Sequence, residues 1–208
     1  MKRLIAAAVA LMLVLCAGTA LGEQPAETAA GWEQFGQVSG TVSPTETPAP
    51  NAFRFRDGIR WGMNTEQVKA LETEPMAERT MQDWSVLFTG EKVAVSRFTA
   101  DLIFMFRGNR LLMITYEFSP GTEDSFLYLT GALSSVYGEK ADAEPLKIKA
   151  LMDAVNPSRY RTDAITRACG WNTADGTSVY LYYYTQNDFA IMYVSPEQGS
   201  RIYQINGL

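Results

Sequence analysis

Histidine is absent from the 208 residues, and cysteine occurs only twice. Without histidine the Ser–His and Cys–His routes to an activated nucleophile are closed, and the commonest metal ligand is missing. Cys16 lies in an amino-terminal leader, so Cys169 is the one cysteine of the mature chain, unable to form an intramolecular disulfide or a structural zinc site. A domain without such staples must rely on its core, and about 150 residues are enough for one. Cys169 falls in 166–171, which reads as a strand, and is expected to be a buried, inert thiol. No glycine-rich phosphate loop stands at a strand-to-helix junction. No run of acids at alternating positions makes a calcium loop. Positive charge is in short supply: two of the 18 basic residues and none of the 23 acidic ones lie in the leader, so the mature chain carries a net charge of −7. Such a surface repels phosphate backbones and anionic membrane faces, which argues against nucleic acid as a partner. Catalytic residues, cofactor-binding residues and metal ligands are therefore all expected to be none.

Residues 1–22 read as an export signal. Lys2 and Arg3 precede an apolar run over 4–17, and small residues stand at −3 and −1 for cleavage after Ala20 or Gly22. The run of about fourteen residues is shorter than the roughly twenty a membrane-spanning helix needs, so no span is expected in the mature chain. Lipid attachment at Cys16 is the weaker alternative, because Leu15 stands where the lipobox has a small residue. Residues 23–51 form a Pro/Thr/Ala-rich linker with few apolar residues to bury, Trp32 and Phe35 excepted. The expected address is extracytoplasmic, secreted or envelope-associated.

Residues 52–208 read as a single domain organised around 100–118, ADLIFMFRGNRLLMITYEF. Two strands meet there at Gly108-Asn109, with Gly first as in a II′ turn. Leu102, Phe104 and Phe106 share one face and Ile103 and Met105 the other. In the return arm Leu112, Ile114, Tyr116 and Phe118 oppose Leu111 and Met113. Arms apolar on both sides belong at the centre of a sheet covered on both sides. Before them, 53–56 alternates as a short strand, Asn64 and Gln67 form a capping box for a helix over 64–72, and 84–88 and 93–98 read as strands. After them come a helix over 123–137, closed by Gly138, and a helix over 145–155. Strands over 164–171, 179–185 and 189–194 follow, and 201–208 reads as an edge strand. A helix followed by about three strands thus occurs twice, at 64–118 and 123–194. The expected fold is α+β, an antiparallel sheet from two helix-plus-β-hairpin units with the helices packed on one face.

The start of the first helix, Gly62-Met63-Asn64-Thr65-Glu66-Gln67-Val68, resembles the "G-M-s-x-e-x-V" motif of small exported bacterial domains. These are the SmpA/OmlA-like outer-membrane-assembly lipoproteins and the β-lactamase-inhibitor-protein fold group. Leu133-Ser134-Ser135-Val136-Tyr137-Gly138 is similar to their "L-x-x-x-Y-G" helix end. The motifs cover some twenty residues. They imply an antiparallel sheet behind the helices and a non-catalytic binding role. The chain departs from that group in lacking a lipobox and in having Glu74-Pro75 where Gly-Pro often follows the first helix.

Three constellations remain. Asp83, Glu91, Asp101, Glu117, Asp163, Asp175 and Asp188 sit at strand ends or turns; Glu117, in an otherwise apolar strand, is the one to inspect for a hydrolase's carboxylate pair. Phe53, Arg54, Phe55, Arg56, Arg60 and Trp61 form a basic-aromatic run, best explained by aromatics inward and arginines outward. Tyr180, Tyr182 and Tyr184 share a strand face. With Ile103, Met105, Leu111 and Met113 they form the candidate interface, a concave apolar surface for a protein partner or a second copy. The alternative is that the 145–155 helix or the linker covers that face. The functional expectation is an exported non-catalytic binding or inhibitor-like envelope module. The alternatives are a self-associating structural envelope protein and a carboxylate-dependent hydrolase. Signal cleavage predicts an intact mass for the exported chain that begins at Leu21 or Glu23; a lipid-modified Cys16 in the mass spectrum contradicts it.

Overall fold

The computed structural model describes residues 53, 55–155, 165–184 and 187–206, the side chains at 57 and 202–206 excepted. The leader with Cys16, the linker with Trp32 and Phe35, Arg54 and Asp163 lie outside the described residues.

The two-sided apolar stretch forms the hairpin of β4 (Phe98–Arg107) and β5 (Arg110–Phe118), taking β1 to β9 in chain order. Gly108 and Asn109 have φ of +57° and +58°. Two left-handed residues make the turn type I′ rather than the expected II′, and Gly and Asn are the residues that tolerate that region. Strands β1 (Met76–Met81), β2 (Trp84–Thr89) and β3 (Val93–Val95) precede the hairpin. Strands β6 (Ala141–Asp142), β7 (Arg167–Asn172), β8 (Ser178–Tyr183) and β9 (Phe189–Val194) follow it. All pair antiparallel in one sheet, in the order β1-β2-β4-β5-β9-β8-β7-β6, with β3 beside β4. The fold is α+β. Each half of the sheet is a meander, and the halves meet through their last strands, where Thr115 of β5 lies opposite Met192 of β9.

Helix α1 (Thr65–Leu71) begins as its sequence dictates. Asn64 Oδ1 accepts from the Gln67 N–H at 2.9 Å, and the Gln67 side chain accepts from the Asn64 N–H at 3.0 Å. Just before it, the Gly62 N–H donates to the Leu111 carbonyl at 3.1 Å, and the Leu111 N–H to the Met63 carbonyl at 2.8 Å. The Gly-Met segment is thereby stitched to β5, and φ +82° at Gly62 is a conformation that favours glycine. Helix α2 (Glu123–Tyr137) buries Phe126, Leu129, Leu133 and Tyr137, one stripe at helical spacing.

Those two helices cover one face of the sheet, over Leu102, Phe104, Tyr116, Leu181, Ile191 and Tyr193. Helix α3 (Pro145–Asp153) packs on the opposite face. Its Ile148, Leu151 and Met152 meet Tyr180, Tyr182, Met192 and Val194. The helices are therefore divided between the two faces, a correction to the expectation of one. The physical reason is that β8 and β9 are apolar on both sides, so the second side also needs a lid.

Two segments differ from their expected form. Residues 196–206, expected to end in an edge strand, form helix α4 (Pro196–Asn206). Ser195 Oγ accepts from the Gln198 N–H at 3.2 Å, and Pro196 occupies the first helical position. Phe53 and Phe55 lie in no strand, unlike the short strand expected over 53–56. A 3₁₀ turn (Arg56–Gly58) stands there instead, Phe53 stacks on Trp61 with ring centroids 4.7 Å apart, and Phe55 is buried beside Tyr116. Arg56 pairs with Glu72, whose side chain is fully buried. The aromatics of that run belong to the core.

Tyr193 is fully enclosed near Tyr116 and Tyr137, and burial pushes its phenol well above the ordinary value. The folded state thus holds the proton more tightly than the unfolded chain. The stability this contributes is complete below about pH 10, the ordinary phenol value, and is lost as pH rises toward the raised one. Alkaline titration should therefore show phenolate absorbance from the buried tyrosines appearing together with loss of native circular dichroism; Tyr193 ionising in a chain that stays folded would contradict the assignment.

A methionine-lined cleft as the candidate functional site

The path β1 to β6 holds eight strands, about 34 Å across at the usual strand spacing. Helix α3 has nine residues, about 14 Å of helix. It cannot roof the whole second face. It lies over the β8–β9 side, and between it and β1–β2 a cleft of about 260 Å³ remains.

The floor follows from strand register. Val86, Met105 and Met113 lie abreast; next come Phe88, Ile103, Thr115 and Met192; then Asp101, Glu117, Ala190 and Tyr182. Met81 and Arg79 of β1 close one side, and Met152 and Val155 at the end of α3 close the other. Five of the chain's nine methionines line this one space. A β-bulge sets the register. Phe106 pairs with Leu111 but Met105 pairs with Met113, leaving Leu112 as the extra residue. The bulge turns Leu112 to the cleft face and Leu111 to the face under α1 and α2.

The expected interface residues accordingly separate. Ile103, Met105 and Met113 line the cleft. Leu111 does not; it is completely buried on the opposite face, a correction caused by the bulge. Tyr180 and Tyr182 are buried at 6% and 2% exposure in the cluster that holds α3, and Tyr184 is half-buried beside Tyr182. Lys147 of α3 sits 5.8 Å from the Tyr180 ring centre. The tyrosine row is thus covered, mainly by α3, and among the described residues the open part of the face is the cleft.

The polar groups of the cleft are few. Asp101 and Glu117 are direct cross-strand partners, a placement that puts their Cβ atoms about 5 Å apart. Glu117 is buried at 6% exposure, and Asp101, half-exposed, has Lys92 at 3.5 Å. Arg79 stands at the rim with its guanidinium 5.0 Å from the Phe88 ring centre. Thr115 lies beside them on the floor. Its Oγ1 is buried and has no hydrogen-bond partner among the described residues, although a buried hydroxyl left unpaired costs about 1–3 kcal/mol. Of the other expected carboxylates, Asp83 pairs with Arg107, and Asp175 accepts from Thr173 in the β7–β8 turn. Burial pushes the Cys169 thiol up, consistent with an inert residue. Among the described residues no cluster of three or more His, Cys, Asp or Glu could hold a metal ion, and no helix is long and apolar enough to cross a membrane.

Chemically, such a cleft suits an apolar guest. Thioether side chains are unbranched and polarisable and mould to irregular shapes. Sequence reasoning singled out Met105, Met113 and Glu117 but missed Thr115. The signal was present: Met113, Thr115 and Glu117 alternate on one strand, with polar atoms where the neighbouring strands are apolar. Since Tyr182 is core rather than open surface, Tyr182→Ala should lower unfolding free energy by about 3–5 kcal/mol in denaturant titration; a loss below about 1 kcal/mol would return it to the surface. No family model matches the chain, and no curated protein or solved structure matches it.

Proposed function

We propose that the chain is an exported, non-catalytic binding module of the cell envelope, and that its binding site is the cleft between α3 and β1–β2. The observation that carries this is a space of about 260 Å³, lined by five methionines and few polar side chains. Small molecules are bound in clefts lined mainly by apolar side chains with a few polar groups among them. The leader sequence supports the address. The resemblance of the Gly-Met-Asn helix start to exported binding and inhibitor domains supports the class, and a helix followed by antiparallel strands, twice over, agrees with it.

Self-association competes with this role, because β1 is an exposed edge strand with one side unpaired in the sheet order. A carboxylate hydrolase would draw on Asp101 and Glu117, the two expected carboxylates that line the cleft, on adjacent strands.

The test combines light scattering with the apolar dye ANS at neutral pH. A monomeric, folded chain should enhance ANS fluorescence, and Ile103→Trp, which fills the cleft floor, should abolish the enhancement with little change in Tm. Absence of ANS binding to the native monomer removes the cleft as a site. A mass that doubles with concentration favours self-association.

A further inference from the structure

The methionines of the cleft define a second kind of guest for it, taking the cleft as the binding site proposed above. Met105 of β4 and Met113 of β5 are direct cross-strand partners, a placement with Cβ atoms about 5 Å apart. Met113 lies opposite Val194 and Thr115 opposite Met192, so Met113 and Met192 are diagonal neighbours, a spacing of about 7–8 Å. Met152, near the end of α3, closes the same space from the facing wall. Each sulfur stands two bonds past its Cβ on an unbranched chain with three rotatable bonds. Thioethers rooted at these spacings can therefore meet on one ion. Methionine also fills irregular cores, but these side chains border an open space of about 260 Å³.

The donor set is selective. Thioethers are soft ligands that favour Cu(I), whereas calcium and magnesium take oxygen ligands. Met105, Met113, Met152 and Met192 are between 1% and 8% exposed, so an ion that keeps its hydration water has no place among them. The chain has no histidine, and Cys169 lies in the cluster on the opposite face, so zinc lacks the nitrogen and thiolate ligands it prefers. The absences that exclude histidine- and cysteine-built sites leave a thioether site untouched. Glu117, buried two rows along the same strand from Met113, places negative charge nearby and offsets part of the cost of taking a cation out of water.

We infer that the cleft binds one soft monovalent metal ion, Cu(I) or Ag(I), through the thioether sulfurs of Met105, Met113 and Met192, with Met152 of α3 as the fourth donor. The ion exchanges its previous ligands for neutral sulfurs, with no change of oxidation state and no proton released.

The experiment is titration of the full mature chain with Ag(I), a redox-inert stand-in for Cu(I), in chloride-free buffer, read by calorimetry and by the methionine methyl resonances. The expected result is one Ag(I) per chain and no binding of Zn(II). The methyl signals of Met105, Met113, Met152 and Met192 should shift, while those of Met63 and Met76, packed on the opposite face, stay in place. Met105→Leu and Met113→Leu conserve volume and remove one sulfur each. Each should weaken Ag(I) by roughly tenfold or more, since even the outer-shell partners of a metal are worth about 10–100-fold, and should leave ANS enhancement intact. Cys169→Ala should bind Ag(I) as the unaltered chain does. Absence of Ag(I) binding overturns the inference, as do binding that survives Met105→Leu and Met113→Leu unweakened, binding lost with Cys169→Ala, and methyl shifts confined to Met63 and Met76. If Ag(I) does not bind while ANS still does and Ile103→Trp abolishes it, the metal site falls and the cleft stands; if neither binds, both fall.

Discussion

Burial of β5 on both faces is the constraint on which the rest of the structure depends. Every residue from Leu111 to Phe118 is buried, and each large apolar side chain removed from water contributes about 1.5–3 kcal/mol. A strand of that kind is stable only with strands on both edges and a layer on both sides. The edges are supplied by β4 and β9. One side receives α1 and α2, the other receives α3. The unequal lengths, fifteen residues in α2 against nine in α3, decide where apolar surface is left over. The cleft is the part of the second face that the shorter helix does not reach.

The joint between the two halves is reinforced away from the sheet. The Trp61 indole N–H donates to Thr177 Oγ1 at 2.8 Å, tying the entrance of α1 to the turn between β7 and β8. The Leu112 carbonyl at the bulge accepts from the Ser195 N–H at 2.9 Å, where α4 begins, and Arg110 meets Glu197 at 3.1 Å. The bulge thus has two effects. It orients Met113, Thr115 and Glu117 into the cleft, and it offers a carbonyl that anchors the carboxy-terminal helix.

Elements whose pattern is local were legible in the chain. Helix α2 carries an apolar stripe, acids in its first turn and a glycine beyond its end, and it spans the expected 123–137. Strand β9, uniformly apolar, spans the expected 189–194. Strand β1 was not legible, because an exposed edge reading Met-Ala-Glu-Arg-Thr-Met needs no apolar alternation. Helix α4 had its signature in Ser195-Pro196-Glu197-Gln198, a cap, a proline and an acid in order, yet the apolar residues further along suggested a strand. The cleft lay beyond reach for a different reason. Periodicity shows that a face is apolar; it does not show how much of that face a helix will cover, and a single bulge moved Leu111 out of the site.

The meeting of the two halves through β5 and β9 also governs when the fold can close. On the edge away from β4, residues 113–118 pair only with 189–194, so that apolar edge of β5 stays open until those residues are in place. The long loop that must close before this pairing is rewarded slows folding. During that interval the first half is an incomplete sheet whose most hydrophobic strand is also its most exposed edge, a surface that sticks to other chains unless something holds it. The sheet closes around β5 only when β9 joins it.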